Sequence, residues 1–456
     1  MADLLAARGV HVEGYGEGSR QLRSLPVPSH DDVRVRVFRE RDIPMQVALG
    51  NYDLGIASFA WLAELSVRFP QQPIVPIAGL GIGTTSLVAA GHESLSSLDN
   101  LSRLAVVRIA SDTPNIAEAF ARASRLRRYR VQSVHGAAEA YPPEDADLVI
   151  IATREEAILR DHRLLPLFKV LESSAWLFAN SESLASKKLH PIIGPLTADN
   201  GSSPAPHLAM PAPLTNRPTN GSRPARDSIR LAMPDGHQQP HVFKALQDAG
   251  LSFNGYEEKT FVRRPESGIE GLDVKVIRPQ DMPQLVALGE FDLAITGRDL
   301  MHEHLFEFPS SPVVELIDLQ RAQYNLSAVV DGELPADNIE DAVALWRVQG
   351  KKLLTVAAEF PATADHYARS RHFWRYQVVP IAGASEGFVP EDADILIEGT
   401  ETGTTIAANN LKVIDTLYRS TTCVIGRSDT QLAGRHREVY DHLLACLAKA
   451  GQTATV

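Results

Sequence analysis

The chain has 456 residues, of which 44% are hydrophobic, 22% charged and 6% aromatic. This composition excludes a wholly disordered, collagen-like or coiled-coil protein, and the length predicts two to four domains of roughly 100–200 residues each. The formal net charge of −11 argues against a nucleic-acid partner, because phosphate backbones are bound by basic surfaces. An anionic metabolite is not excluded, since backbone amides and a few local cations can bind it.

The cysteine content and the apolar pattern indicate where the protein works. Only two cysteines occur, Cys423 and Cys446, which implies no disulfide framework and favours a reducing cytosol. Residues 1–16 lack the basic and apolar segments of a secretory signal. No window approaches 18 uninterrupted apolar residues, so we expect no membrane span and predict a cytoplasmic protein. The histidines show no zinc-ligand spacing.

The chain repeats itself. Residues 42–57 and 281–296 are identical at nine of sixteen positions. Three further matches follow the same order, with a shift that stays between 239 and 247 residues: 8–15 with 249–256, 135–139 with 382–386, and 142–150 with 389–397. Collinear matches of this kind predict a tandem duplication.

A segment crowded with Pro, Ser, Asn and Gly separates the two copies. Such a composition is typical of an extended linker, and its length favours a tether between domains over a loop within one. The predicted organisation is therefore a first copy over residues 1–195, a linker over 196–227 and a second copy over 228–456.

Within the second copy, short apolar runs alternate with stretches of helical periodicity. The predicted strands are 229–233, 274–277, 292–296 and 395–399, and the predicted helices are 241–250, 282–290 and a tail within 428–451. This alternation predicts an α/β protein with mixed, mostly parallel sheets flanked by helices and two lobes per copy. Ligands of such folds lie at the carboxyl ends of strands, where helices begin.

The most informative of these strand ends lies in residues 393–411. A buried strand there leads into Glu398, then a turn centred on Gly403, then a helix. Gly403 permits a tight turn, and the following amides, with the hydroxyls of Thr402, Thr404 and Thr405, can bind a phosphate. Glu398 and Glu401 are placed to hold ribose hydroxyls or a Mg²⁺ ion. The alternative is a capped turn without a ligand.

The first copy departs from this pattern over residues 146–164. Ile151 stands where the second copy has Glu398, Arg154 where it has Glu401, and Glu156 where it has Gly403. Adjacent carboxylates repel a phosphate. We therefore expect no phosphate site at this turn of the first copy.

Several motifs of the second copy together resemble ATP phosphoribosyltransferase, the first enzyme of histidine biosynthesis. They are DLAITGRDL at 292–300, EFP at 359–361, GASE at 383–386 and DADILIEGTETGTT at 392–405. The resemblance covers nearly all of the second copy to about residue 428 and weaker parts of the first. It implies two units of the type II periplasmic-binding-protein fold, arranged as a pseudo-dimer within the chain.

The resemblance implies a reaction and a set of site residues. In that family, adenine N1 of ATP attacks phosphoribosyl pyrophosphate and releases pyrophosphate with Mg²⁺ present. The family's phosphate loop corresponds to Glu401–Thr405, and its upstream acidic residue corresponds to Glu398. The strand and turn that line the family's cleft correspond to the segment that contains Thr296, Gly297 and Arg298, and Glu386 belongs to the GASE motif.

One departure from the family concerns charge, and one family motif survives only in the first copy. The family's Pro-Lys-Gly-Arg turn reads Pro234-Asp235-Gly236-His237 here, which inverts the local charge, so cations must come from elsewhere or activity is impaired. The first copy keeps a Ser-Arg motif at Ser19-Arg20, whose arginine the family lends to a neighbouring subunit. A solvated surface arginine is the alternative for Arg20.

The resemblance is to the short form of the family, because the second copy is followed by no regulatory domain. That form works with a histidyl-tRNA-synthetase-like regulatory subunit, which is the expected partner. The competing hypothesis is a non-catalytic regulatory or small-molecule-binding protein built on two such units. Formation of phosphoribosyl-ATP would distinguish the two.

Overall fold

A computed structural model of the chain describes residues 1–16, 25–30, 32–154, 156–198, 204–214, 227–383, 385–400 and 403–453. The chain forms two compact units. Unit 1 comprises Met1–Ser133, Tyr141–Gly221 and Ile381–Gly387, and unit 2 comprises Val134–Ala140, Ser222–Pro380 and Phe388–Val456. Each unit is thus one copy of the repeat together with a short segment of the other copy.

Unit 2 is built from seven described helices and twelve described strands. The helices are α8 Gln239–Asp248, α9 Met282–Ala287, α10 Arg298–Glu307, α11 Ile339–Val348, α12 Pro361–Ser370, α13 Thr404–Ala408 and α14 Gly434–Thr453. The strands are β11 Ile229–Pro234, β12 Phe253–Tyr256, β13 Phe261–Ser267, β14 Leu272–Ile277, β15 Leu293–Gly297, β16 Val313–Asp318, β17 Tyr324–Asp331, β18 Leu354–Ala358, β19 Tyr376–Pro380, β20 Ile395–Thr400, β21 Leu411–Ser420 and β22 Thr422–Arg427.

Two five-stranded sheets make the two lobes of unit 2, as the alternating pattern predicted. Their strand orders are β14-β11-β15-β22-β16 and β19-β18-β20-β17-β21. In each sheet the first three strands are parallel and the remaining pairings are antiparallel. The sheets are therefore mixed, with parallel and antiparallel pairings in equal number, and they are flanked by helices.

The predicted elements of unit 2 are present with shifted ends. α8 begins beside Pro240, whose fixed φ suits a first helical turn, and ends before Gly250, whose φ of +69° closes the helix. α9 is shorter than predicted and ends at Ala287, ahead of Gly289 with φ +71°. The tail forms α14, whose residues Val439, Leu443 and Leu447 are buried in the core of the first lobe.

Unit 1 repeats this architecture with fewer strands. Its helices are α1 Ala2–Ala7, α2 Ile43–Ala48, α3 Phe59–Arg68, α4 Pro114–Ala123, α5 Glu156–Asp161, α6 Ser181–Ser186 and α7 His190–Thr197. Its strands are β1 Leu25–Pro26, β2 Arg34–Val35, β3 Leu54–Ser58, β4 Ile74–Gly79, β5 Thr85–His92, β6 Val107–Ser111, β7 Tyr129–Ser133, β8 Leu148–Thr153, β9 Leu164–Ser173 and β10 Ala175–Asn180. The larger sheet, β7-β6-β8-β5-β9, matches its counterpart strand for strand.

The smaller sheet of unit 1 has only three strands among the described residues, in the order β3-β10-β4. In unit 2, β14 joins its sheet only through β11. Among the described residues, the segment of the first copy that is equivalent to β14 joins no strand of this three-stranded sheet. It survives as the two-residue strand β2, which pairs with β1 instead.

Part of the predicted linker packs on unit 1. Within residues 204–214, the apolar side chains of Leu208, Met210 and Leu214 contact the core formed by both lobes of the unit. The backbone amides of Ala209 and Leu214 donate to the carbonyls of Val170 and Ser124 at 2.8 and 3.0 Å. Across the described ranges, no helix has the length and apolar character needed to cross a membrane.

Candidate functional site

Unit 2 contains a cavity of about 300 Å³ between its two lobes. The first lobe contributes the turn after β11, Arg278 after β14, and Gly297 and Asp299 where β15 passes into α10. The second lobe contributes Tyr324 and Glu359, and the strand crossing at Ser420–Thr422 closes the floor. These groups lie where strands end and helices begin, the position at which α/β sheets bind ligands.

Three polar atoms on the wall of this cavity have no hydrogen-bond partner among the described residues. They are Gln238 Oε1, Arg278 Nε and Thr422 Oγ1. Thr422 is only 1% exposed. Because buried polar groups are normally paired, these atoms are the ones beside the cavity that lack a hydrogen-bond partner in the protein.

Asp235 replaces a cation of the resembled family, and the structure shows how its charge is balanced. The side chain is 3% exposed, with Arg263 Nη1 at 2.8 Å from one carboxylate oxygen and Arg278 Nη1 at 3.2 Å from the other. Two guanidinium groups thus surround one carboxylate, so these three side chains together carry a net positive charge, while Asp299 and Glu359 add two carboxylates to the same cavity. Arg278 lines the cavity and carries this charge to its wall.

A second polar network, whose residues Asp299 and Ser420 also line the cavity, joins the two lobes. Ser420 Oγ lies 2.7 Å from Asp299 Oδ1, and the Asp299 amide donates back to Ser420 Oγ at 3.1 Å. Burial, together with the neighbouring carboxylate of Asp299, raises the pKa of Tyr324. The phenol therefore stays protonated at physiological pH and donates to Asp299.

The segment that contains Thr296, Gly297 and Arg298 has a mainly structural geometry. Thr296 is fully buried and its hydroxyl donates to the Pro279 carbonyl at 3.0 Å. A Cβ at Gly297 would lie 2.8 Å from Gln238 Nε2, so a larger residue there would displace this cavity side chain. Gly297 lines the cavity, whereas the hydroxyl of Thr296 is already hydrogen-bonded to the Pro279 carbonyl.

Arg298 is held by two carboxylates. Its Nε and Nη2 donate to the two oxygens of Glu315 at 2.8 and 2.7 Å, and Nη2 also lies 2.9 Å from Asp318. The Glu315 hydrogen bonds raise the pKa of the Arg298 guanidinium. This arginine is therefore committed to a pairing within its lobe.

The predicted phosphate turn follows β20 as expected from the sequence. Glu398 lies in the strand opposite Ser327, and its Oε1 accepts from the Gly399 amide at 3.2 Å. Gly403 has φ +69° and precedes the first residue of α13, with no atom within 4 Å of the place where a Cβ would stand. Thr405 is exposed at the start of this helix. Glu401 and Thr402 lie outside the described residues, as does the side chain of Thr404.

Unit 1 has a different environment at the equivalent place. Ile151 lies in β8 opposite Val88, an apolar pair where unit 2 has Glu398 and Ser327. A cavity of about 470 Å³ beside it is lined by Arg154 and Lys169, and Lys169 is paired with Glu172 at 2.6 Å. The turn itself contains no glycine. We therefore place the candidate site in unit 2, although its cavity is smaller.

The structure does not bring all of the predicted site residues together. Gly297 lines the cavity, whereas the residues that line it do not include Thr296, Arg298, Glu398, Gly403 and Thr405. Glu386 lies in the segment Ile381–Gly387, which belongs to unit 1, whereas the glycine turn and the cavity belong to unit 2. Arg20 lies outside the described residues.

The sequence reasoning missed Gln238, Arg278 and Thr422. Arg278 could have been found, because it follows a strand that ends at Ile277, where parallel strands present their ligand-binding edge. Thr422 gave no signal.

The described residues contain no cluster of three His, Cys, Asp or Glu side chains arranged to hold a metal ion. Glu398 and Asp299 are separate carboxylates with their own hydrogen-bond partners. The described residues of this site therefore form no cage for Mg²⁺ by themselves. They suit a Mg²⁺ ion that is held chiefly by the phosphate oxygens of a substrate.

Comparison with known proteins relates both halves of the chain to one family. The sequence profile of the HisG family, described as ATP phosphoribosyltransferase, matches residues 39–198 and 278–448. An ATP phosphoribosyltransferase of Chelativorans sp. is 26% identical over 239 residues, which are 49% of this chain and 98% of the relative. One from Chlorobium chlorochromatii is 28% identical over 227 residues, covering 49% of this chain and 71% of the relative.

Solved structures give weaker likenesses. The ATP phosphoribosyl transferase (HisG:HisZ) complex from Thermotoga maritima matches 49% of this chain and 99% of that chain, with 19% identity and a TM-score of 0.40. The periplasmic aliphatic sulphonate binding protein SsuA from Escherichia coli matches 51% of this chain and 75% of its own, with 10% identity and a TM-score of 0.32. With both of its copies matched by the family profile over more than half of the sequence, the chain belongs to the ATP phosphoribosyltransferase family.

Proposed function

We propose that the protein is an ATP phosphoribosyltransferase whose site lies in unit 2. It transfers the phosphoribosyl group of phosphoribosyl pyrophosphate to N1 of ATP and releases pyrophosphate. The observation that carries this proposal is the cavity of unit 2, whose wall presents Arg278 and the unpartnered atoms of Gln238 and Thr422. The intact glycine turn after β20 supports it.

The residues of unit 2 supply binding and orientation in this proposal. The amides that follow Gly403 hold the 5′-phosphate of the ribosyl donor, because free backbone N–H groups at a helix start bind anions. Glu398, directly after the buried part of β20, accepts from ribose hydroxyls. Arg278 offers positive charge to the pyrophosphate as negative charge develops on it. No nucleophilic side chain is needed, because positioning and charge stabilisation account for such transfers.

Mg²⁺ enters this proposal with the substrate. It neutralises phosphate charge when it is bound to the pyrophosphate oxygens of the donor. The carboxylates of the cavity wall, Asp299 and Glu359, orient polar hydrogens of the ligand or waters of its hydration shell.

The direct test is the formation of phosphoribosyl-ATP by the purified full-length protein from ATP and phosphoribosyl pyrophosphate with Mg²⁺. We expect turnover. Absence of product, with and without a histidyl-tRNA-synthetase-like protein from the same organism, would contradict the enzymatic function. The alternative is a non-catalytic binding protein, and the pairing of the cavity arginine Arg278 with Asp235 favours it. Binding of both substrates without product would establish that alternative.

We propose a histidyl-tRNA-synthetase-like regulatory subunit as the partner. The proposal depends on the resemblance to the short form of the family, and it is supported by the Chelativorans relative, of which 239 matched residues make up 98%. That relative is thus little longer than one unit of this chain. Co-purification and a change in turnover on addition of the subunit would test the proposal.

A further inference from the structure

The segment Val134–Ala140 comes from the first copy of the repeat but belongs to unit 2. It follows β7, and within unit 2 it contacts the residues that surround the turn after β14. This is a place where the degenerate copy adds backbone and side-chain groups to the unit that carries the candidate site.

The first contact is with Asp281, which begins α9. The His135 amide donates to both carboxylate oxygens of Asp281 at 3.2 and 3.3 Å, and the ring Nδ1 of His135 lies 2.7 Å from Oδ1. The Asp281 side chain is 1% exposed and makes no capping hydrogen bond to its own helix. Its carboxylate is instead directed towards the segment from the first copy.

The second contact is with Arg278, three residues before Asp281. A Cβ at Gly136 would lie 3.8 Å from Arg278 Nε, so a side chain at this position would touch the guanidinium group. Gly136 has φ +104°, a conformation that side-chain-bearing residues rarely adopt. Beyond it, the Ala140 carbonyl accepts from Arg264 Nη2 at 3.2 Å.

Arg278 is the link to the cavity. It pairs with Asp235, lines the cavity wall and keeps Nε without a partner among the described residues. A guanidinium on a flexible side chain binds an anion well only when its plane is fixed beforehand. The Gly136 backbone lies beside Arg278 with space for about one methyl group between them, and the hydrogen bonds of His135 to Asp281 hold that backbone in place.

We propose that the first copy, through His135 and Gly136, positions Arg278 for binding the pyrophosphate group of an anionic substrate in unit 2. His135 is a positioning residue, since it touches Asp281 and not the cavity. This inference rests on the proposed function for the identity of the anion. It gives the degenerate copy a role in the activity of the intact one.

Unit 1 provides a matched control for the test. There the segment Ile381–Gly387 of the second copy makes the equivalent contact, with the Ala382 amide donating to Asp42 at 2.9 Å. Asp42 corresponds to Asp281 in the repeat, and Ala382 corresponds to His135. Asp42→Asn therefore weakens the same kind of contact beside a turn that has no glycine.

The experiment measures the affinity of the full-length protein for inorganic pyrophosphate by calorimetry, and the kinetic constants where turnover occurs. We expect His135→Ala to weaken pyrophosphate binding and raise KM for phosphoribosyl pyrophosphate about tenfold, the usual effect of losing a hydrogen bond to a charged group, with kcat within about twofold. His135→Asn, whose amide can donate in place of ring Nδ1, should restore most of the affinity. Asp42→Asn should match the wild type.

Each outcome decides the inference. Unchanged affinity in His135→Ala, an equal loss in Asp42→Asn, or no pyrophosphate binding by the wild type would overturn it. If the wild type binds pyrophosphate, His135→Ala weakens that binding, and no phosphoribosyl-ATP forms, the positioning role stands and the proposed function fails. A fall in kcat alone would also contradict positioning of a binding group.

Discussion

The left-handed backbone of Gly403 is the residue-scale feature on which the proposed phosphate turn depends. With φ +69° and open space around its missing Cβ, the position penalises any side chain through backbone strain and not through collision. Gly350, at the end of α11, has the same properties, with φ +72° and nothing within 4 Å. Comparing the same substitution at Gly403 and Gly350 therefore separates the effect of backbone strain on stability from an effect on donor binding.

We predict that Gly403→Ala and Gly350→Ala each lower the free energy of unfolding by about 1 kcal/mol, the cost of a left-handed alanine. Only Gly403→Ala should raise KM for phosphoribosyl pyrophosphate, and Gly403→Glu, which adds a repelling charge, should abolish donor binding. Urea unfolding and steady-state kinetics measure the two effects. Equal KM changes in the two alanine variants would show that the turn does not contact the donor.

Asp235 holds two arginines together in a nearly buried position. Asp235→Asn removes the charge and leaves Arg263 and Arg278 facing each other. We predict a loss of about 1–3 kcal/mol in the free energy of unfolding, the usual cost of unpairing a buried charged group. Asp429→Asn should cost much less, because its pair with Arg427 is exposed. Urea titration compares them, and equal losses would contradict the account.

The sequence identified Asp235 as a charge inversion but could not locate the compensating cations. Arg263 lies 28 residues along the chain on another strand, and its contact with Asp235 depends on how β13 pairs with its neighbours. Gly403 was easier to identify, since a glycine directly after a buried strand needs only local conformation. Long-range polar pairings are the part of a site that local patterns do not encode.

At the scale of elements, each unit joins its two lobes by the same device. In unit 2, Glu303 on α10 accepts from the Ala362 and Thr363 amides at the start of α12, both at 2.8 Å. In unit 1, Glu64 on α3 accepts from the Asn115 and Ile116 amides of α4 at 2.8 and 2.9 Å. Burial raises the pKa of both carboxyl groups above the ordinary value of 4.5.

This raised pKa gives a pH prediction. A carboxyl group with a higher pKa in the folded protein binds protons more tightly there than in the unfolded chain. Its contribution to stability is therefore complete below the ordinary pKa and is lost as pH rises through the folded value. We predict that the stability of the wild type relative to Glu303→Gln falls as pH rises above about 4.5. Urea unfolding across this range measures it, and a constant or rising difference would contradict the prediction.

The success of element prediction depended on the kind of signal. The strands β11 and β20 were predicted because both contain short, mostly apolar runs, and α14 because its apolar residues recur at helical spacing. α9 ends earlier than predicted because Gly289 closes it. The packing of residues 204–214 on unit 1 was not predicted, since Leu208, Met210 and Leu214 are separated by prolines and show no period.

At the scale of the whole molecule, the tandem repeat and the fold class followed from collinear matches between the copies. The sequence did not predict that each unit contains a short segment of the other copy, because the motifs at 135–139 and 382–386 look alike. One consequence of the repeat is asymmetry. The cavity with unpartnered polar groups and the glycine turn occur together in unit 2, whereas Ile151 and a turn without glycine occupy the equivalent place in unit 1.

In the proposed function, only one of the two units binds the phosphoribosyl donor. The number of phosphoribosyl pyrophosphate molecules bound per chain measures this. Equilibrium calorimetry of the full-length protein with Mg²⁺ should give one site per chain. Gly403→Glu should remove this site, and Glu156→Gly in the first copy should leave it unchanged. Two sites per chain, or one site that survives Gly403→Glu, would contradict the account.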